Sequence, residues 1–360
     1  MTDNRPSITG TSLDRRQLFR RTAAAGAAVA IPSWLLTACG GAQSGSSTGS
    51  GSASGAKVTL KATHGTGLCN LSMFLLKERG LAKPDVDVQF VVTPTNADIV
   101  TLFGAGQVDM SLIPYTQFMT LHDAGAPVTI VAGGGVQGCV IAAQPGIETA
   151  QDLRGKTLGT FQADTLEMLP YDYLKKAGMS FKDVKVRYFG TSPELAQAFT
   201  SGSIDAICHI EPYATQALKG RPGSVKLSDG TDVYGTGYTD CVLAVRNPLL
   251  QENPDAVKAV IKGLFKGQQQ TEQDRESAVK ATTGTYFKAS LADVLLASTK
   301  QPNVTDQRDK AQFMLDRAQN MMELGYLKKL PDEKIFDWTL LEQVIKENPD
   351  LYTSLKLKTA

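Results

Sequence analysis

Apolar and polar positions from residue 57 onward fall into two rhythms that take turns. In "KVTLKATH" (57–64), apolar and β-branched residues alternate with polar ones, which predicts a strand. "LSMFLLKERG" (71–80) instead repeats its apolar residues at helical spacing and stops at Gly80, which predicts a helix with a glycine end. "VDVQFVVTP" (86–94), "VDMSLIP" (108–114) and "VTIVAGGG" (128–135) read as further strands. Helix signals at "NADIVTLFGAGQ" (96–107) and "YTQFMTLHDAG" (115–125) separate them. The rhythm recurs past residue 150. Strands are predicted within 151–161, 184–190 and 204–210, with helices over 165–179 and 192–202. Such alternation with short loops predicts a mostly parallel sheet flanked by helices.

Two stretches repeat each other. "LFGAGQVDMSLIPY" (102–115) and "AFTSGSIDAICHIEPY" (198–213) each run from a helix end through Gly, an apolar residue, Asp and a strand to Pro-Tyr. Two lobes built on one α/β unit follow from this, rather than one long sheet. "CVIAAQ" (139–144) and "CVLAVR" (241–246) also resemble each other, and they flank the second half. They read as the two strands that cross between lobes and form a hinge. The expected division is 57–142 plus 243–360 for lobe 1 and 143–242 for lobe 2. After residue 246 the pattern is helical, and these helices are expected to pack back on lobe 1.

The first 56 residues follow another logic. Arg15 and Arg16, followed by Leu18, Phe19 and Arg20, make a charged head, and Ala23–Leu36 is a mostly apolar stretch of 14 residues. That length is short for a membrane span and fits a signal peptide over 1–38. The arginine pair resembles the twin-arginine export signal, with Leu18 and Phe19 in swapped order; a Sec-type signal is the alternative. "LTAC" followed by Gly resembles the lipobox of bacterial lipoproteins, which implies that Cys39 is the lipid-attachment residue. The Gly/Ser run 40–56 then reads as a flexible tether spanning about 22 Å.

Composition narrows the class. The 360 residues are 42% hydrophobic and carry a net charge of +1, enough for a sizeable core and without the basic excess of a nucleic-acid binder. Cys69, Cys139, Cys208 and Cys241 have no zinc-ligand spacing. They allow three fully paired connectivities, and free thiols are expected for most of them. No phosphate-binding GxxxxGK[ST] loop occurs, so ATP hydrolysis is expected to belong to other subunits.

"GAGQVDM", "DLRGKTLG", "YLKKAGM", "SGSIDA" and "EPYATQA", in that order, resemble the recurrent segments of the type II solute-binding proteins of ABC importers. The branch is the one that takes sulfonates, taurine, nitrate and thiamine-pyrimidine precursors. The resemblance covers roughly 57–350. It implies a two-lobed type II periplasmic-binding-protein fold that closes on a small solute. It also implies permease and ATPase partners, a monomer lipid-anchored on the extracytoplasmic face of the cell membrane, no cofactor and no catalysis.

The cleft of such a fold is walled by loops at the carboxyl ends of strands. Five loops and one further residue supply candidates for binding the solute. "HGTGLCN" offers His64, Thr66 and Asn70 beside a helix N-terminus. "IPYTQF" offers Tyr115, and "GGGVQGC" offers Gln137 among glycines. "FQADTLEM" offers Gln162, Asp164 and Thr165, with Asp164 equally suited to cap a helix. "HIEPY" offers Glu211 and Tyr213, and Asp240 precedes the second crossing strand. Tyr115 fits interlobe packing as well as it fits a ligand wall. None of these loops contains Lys or Arg. A sulfonate or nitrate can be held by helix ends and neutral donors. Asp164, Glu211 and Asp240 keep open a solute with amine or heterocyclic N–H donors. Two other classes stay open. An enzyme on the same fold would use His64, His209, Cys69 and Cys208, but it lacks the cysteine run of the pyrimidine-synthesising relatives. The remaining class is a lipid-anchored adhesive protein.

Overall fold

The computed structural model describes residues 58–93 and 95–358. The export signal with Arg15 and Arg16, the lipid-attachment candidate Cys39 and the Gly/Ser run lie outside them.

Two five-stranded sheets organise the chain, one in each lobe. The strands are β1 (Val58–His64), β2 (Val86–Phe90), β3 (Met110–Pro114), β4 (Val128–Gly133), β5 (Cys139–Ala143), β6 (Thr157–Thr160), β7 (Lys185–Tyr188), β8 (Ala206–Ile210), β9 (Val225–Ser228) and β10 (Cys241–Arg246). The first sheet has the order β2-β1-β3-β10-β4 and the second β7-β6-β8-β5-β9. The orders are equivalent. In each, three strands pair in parallel, and a fourth inserts antiparallel between the third and the last.

The inserted strands are the two Cys-Val-apolar stretches, β5 and β10, and they are exchanged between lobes. β4 ends the first lobe's early run, and the chain enters the second sheet at Cys139. It returns to the first sheet at Cys241. This refines the sequence reading in two ways. The sheets are mixed rather than mostly parallel, because each receives a strand from across the hinge. The crossing segments are 134–138 and 235–240, just before β5 and β10, so the division between sheets falls a few residues earlier than expected. A bridge between Val136 and Thr239 ties these two segments together.

Helices follow the strands as the pattern predicts. α1 (Leu71–Glu78), α2 (Asn96–Gly104) and α3 (Tyr115–Asp123) belong to the first lobe, and α4 (Thr165–Lys176), α5 (Ser192–Thr200), α6 (Tyr213–Gly220) and α7 (Thr231–Tyr234) to the second. Asp164 caps α4 by accepting from Leu166 N at 3.1 Å, and Thr191 caps α5, whose second residue is Pro193. After β10 come α8 (Asn247–Glu252), α9 (Pro254–Gln273), α10 (Arg275–Thr282), α11 (Leu291–Ser298), α12 (Ala311–Glu323), α13 (Thr339–Glu347) and α14 (Pro349–Ser354). They return to the first lobe. Val260 and Leu264 of α9 pack with Leu60, Met110 and Leu243 of its sheet, and Met314 and Met321 of α12 pack with Phe118 on the other face. Ile141, Ile207, Leu169 and Phe199 centre the second lobe's core. Among the described residues no helix is long and apolar enough to cross a membrane.

Candidate functional site

The turns that end β1, β3, β6 and β8 meet at the hinge side of the two sheets, because parallel strands present their carboxyl ends to the same edge. They line a small cavity of ≈ 30 Å³. Thr66 and Asn70 reach it from the β1–α1 turn, Gln117 from the first turn of α3, and Asp164 and Thr165 from the start of α4. Ser192 enters from the start of α5, and Asp240 and Cys241 from the second crossing segment. Ile99, Phe161 and Ile210 supply apolar wall.

The lobes are drawn together over this cavity. Thr66 Oγ1 and Ser192 Oγ are 2.8 Å apart, and Gln117 Nε2 donates to Asp164 Oδ2 at 2.8 Å. Leu68 N donates to Glu211 O at 2.9 Å. Each contact joins a first-lobe turn to a second-lobe turn, so these groups close the cleft on itself. A larger outer vestibule, lined by His64, Lys77, Thr95, Tyr213 and Lys288, shares Thr66 and Ser192 with the inner cavity. The Thr66–Ser192 hydrogen bond therefore stands between the two.

Charge in the inner cavity is one-sided. Asp164 and Asp240 are buried, and no Lys or Arg is among the lining residues. Burial pushes the Asp164 carboxyl up to about 7, and burial also raises Asp240, opposed by the Thr165 hydroxyl. Thr165 Oγ1 donates to Asp240 Oδ1 at 2.5 Å, and Gln301 Nε2 donates to Asp240 Oδ2 at 3.0 Å. Asn70 Oδ1 and Gln117 Oε1 are buried acceptors with no hydrogen-bond partner. Buried polar atoms are nearly always paired, so two orphaned acceptors on residues that line one cavity point to a donor that enters it.

A family model for NMT1/THI5-like proteins matches residues 74–278. The chain belongs to the NMT1/THI5-like family. Proteins of Brucella abortus and Brucella suis that carry the provisional name of binding protein are 30% identical over 188 residues, 52% of this chain. The chain spans 58% of the length of those relatives. Among solved structures, a zinc-bound ligand-binding component of an ABC-type import system from Staphylococcus aureus superposes with a TM-score of 0.71 at 17% identity. It covers 80% of this chain and 99% of that one. The periplasmic aliphatic sulphonate-binding protein of Escherichia coli gives 0.67 at 21%, over 79% and 93%. The periplasmic nitrate-binding protein of Synechocystis gives 0.69 at 16%, over 84% and 92%. These likenesses establish the two-lobed type II periplasmic-binding fold.

Within this NMT1/THI5-like chain, Thr66, Asn70, Asp164, Thr165 and Asp240 share the inner cavity, while the other sequence candidates lie elsewhere. His64 and Tyr213 line the outer vestibule. His64 is wedged among Phe74, Phe90 and Tyr286, with ring centroids 4.7–5.5 Å away. Tyr115 is buried in the first-lobe core against Phe313, away from the cavity lining. Gln137 turns to the crossing segment, where its Oε1 accepts from Gly237 N at 2.9 Å. Gln162 is exposed beyond the α4 cap. Glu211 is taken up by the protein itself. Its carboxylate accepts from Thr215 N and Thr215 Oγ1, both at 3.0 Å, and pairs with Lys300 at 3.2 Å. The reason is positional: Glu211 stands at the N-terminal end of α6, facing the segment after α11 rather than the cavity. Gln117 and Ser192 join the cavity from helix starts: Gln117 lies inside "IPYTQF" but in the first turn of α3, and Ser192 is the first residue of α5. The repeat of Pro-Tyr at 114–115 was the available signal for Gln117, since it marks the α3 start at the cleft edge.

Proposed function

We propose that this chain is the solute receptor of an ABC importer, lipid-anchored through Cys39 on the extracytoplasmic face, and that it captures a small solute carrying N–H donors. A primary amine, an amidine or an amino-substituted heterocycle fits better than a bare oxoanion such as nitrate. One observation carries this choice. The cavity offers Asn70 Oδ1, Gln117 Oε1 and the Asp164 carboxylate, all buried acceptors, with no cationic side chain to face an anion. A protonated amine entering there repairs two orphaned acceptors and keeps Asp164 ionised. The interlobe hydrogen bonds define the closed state to which such a solute would commit the receptor. The binding-component relatives and the two exchanged hinge segments support a receptor over a catalyst.

A thermal-shift screen of the intact chain tests this reading. Taurine, simple amines and aminopyrimidines are run against nitrate and alkanesulfonates lacking nitrogen. Donor-bearing solutes are expected to raise the midpoint by mass action. Gln117→Leu should weaken the best of them by about 10-fold to 100-fold, the usual worth of a hydrogen bond to a charged group. A midpoint raised by nitrate or nitrogen-free sulfonates alone overturns the choice of solute class.

A further inference from the structure

The floor of the cavity carries a different chemistry from its walls. Cys69 Sγ lies 2.9 Å from Cys241 Sγ, and Cys241 Sγ lies 3.3 Å from Asp240 Oδ2. One ligand atom from each of Cys69, Asp240 and Cys241 falls within 4.8 Å of the other two. All three side chains are buried and all three line the cavity. They come from two segments that the fold pins together. Cys69 sits in the turn entering α1, and Asp240–Cys241 leads into β10. Gly135 passes so close behind Cys69 that a Cβ there would stand 2.3 Å from its Cα.

The carboxylate is held in place from behind. Thr165 and Gln301 each donate to a different oxygen of Asp240. That is the outer-shell bracing that metal-ligating carboxylates require. Asn70 donates to Cys69 Sγ at 3.2 Å, and its Oδ1 is buried with no hydrogen-bond partner. Two sulfurs and one carboxylate oxygen suit a thiophilic d10 ion, and they suit Mg2+ or Ca2+ poorly.

We infer that Cys69, Asp240 and Cys241 form a binding site for a thiophilic d10 cation, Zn2+ or Cu+, on the cavity floor, with the remaining coordination position open to the cavity. As each metal–sulfur bond forms, the thiol gives its proton to solvent, and no group changes oxidation state. Two Zn–S bonds of about 2.3 Å in a tetrahedral arrangement set the sulfurs about 3.8 Å apart, so the thiols spread slightly on binding. The site goes beyond the proposed solute role and is independent of the solute's identity. Asn70, Gln117 and Asp164 serve the solute, and the Cys–Asp–Cys floor serves the metal.

The test uses the intact chain, reduced and stripped of metal, titrated with zinc alone against a chromophoric chelator and then with cobalt. One zinc per chain is expected, and cobalt should give near-ultraviolet thiolate charge-transfer bands. Cys69→Ser and Cys241→Ser should each abolish those bands, and Thr165→Val should cost about 10-fold to 100-fold in zinc affinity. Cys208→Ala, which leaves the floor intact, should bind as the parent does. Circular dichroism of every variant separates lost binding from lost folding. Zinc affinity untouched by both Cys→Ser variants, cobalt spectra without thiolate bands, or a Cys69–Cys241 disulfide in the exported protein overturns the site. The readouts are spectroscopic and need no solute. A failed solute screen therefore leaves the metal result standing, and the reverse holds equally.

Discussion

His209 shows how local packing settles a residue's chemistry. Ile210 N donates to its Nδ1 at 2.9 Å, so the ring proton sits on Nε2, which donates to Ser192 O at 2.9 Å. The ring is stacked on Tyr213 and meets Phe161 edge-on. Burial lowers its pKa to about 4 from the ordinary 6.5. The unfolded chain therefore binds a proton between pH 6.5 and 4 that the folded chain refuses, and stability falls as pH drops through that window. The full effect is on the order of 3 kcal/mol. Urea unfolding at pH 7, 5 and 4 should show the advantage of the parent over His209→Gln shrinking as pH falls. Parallel curves would contradict the neutral, buried assignment. This ring is engaged on both nitrogens, so it has no free atom for a metal or a substrate. At this scale the sequence was informative about residue type and weak about direction. Asp164 was legible both as a cap and as a cleft residue, and it is placed as both. Glu211 has the same chemistry and the same strand-end position, yet it points the other way.

Elements decide that direction. Glu211 ends the β8 turn and Lys300 follows α11, which packs on α10 and α1 of the other lobe. Lys300 Nζ also donates to Thr215 Oγ1 at 2.8 Å, so the pair braces α6 against the returning helices. Lys300 is partly exposed while Glu211 is fully buried, so the loss falls on the carboxylate. Lys300→Met should cost about 1–3 kcal/mol, and the double variant with Glu211→Gln should cost less than the sum of the two. A denaturation cycle that comes out additive would rule out the brace. A second brace runs from α4 to α12, where Tyr171 and Lys175 both reach Glu323, at 2.6 and 2.8 Å. Neither pairing is visible in the periodicity of any single helix. The helices themselves were visible: α9 falls in the stretch past residue 246 that reads as helical, because its apolar spacing is regular and Pro254 opens it.

On the scale of the whole molecule, the segment through Cys39 and the two lobes are expected to act independently. Cys39→Ala should release the exported protein from membranes and leave solute affinity within about twofold, since the residues lining the cavity run from Gly65 to Cys241. Fractionation followed by a binding titration checks both halves of the statement. A variant that stays membrane-bound after processing would contradict the lipid anchor. The alternation of strand and helix, the duplicated α/β unit and the type II binding fold all follow from the sequence by itself. The first two rest on side-chain periodicity and on Gly and Pro punctuation, which are local properties, and the third on the resemblance of its ordered segments to a known family. The sequence also supplied the residue types of the cleft loops. The crossing of β5 and β10 was legible in their repeated sequence; tertiary structure alone decided that each inserts antiparallel between two strands of its sheet, because pairing between segments distant in the chain is not a local property. It also decided which of several similar polar residues face the cavity, and that Cys69 meets Cys241. Those two cysteines are separated in the chain by α1 to β4 of the first lobe and by the whole second lobe. Only closing both sheets around one hinge brings their sulfurs into contact.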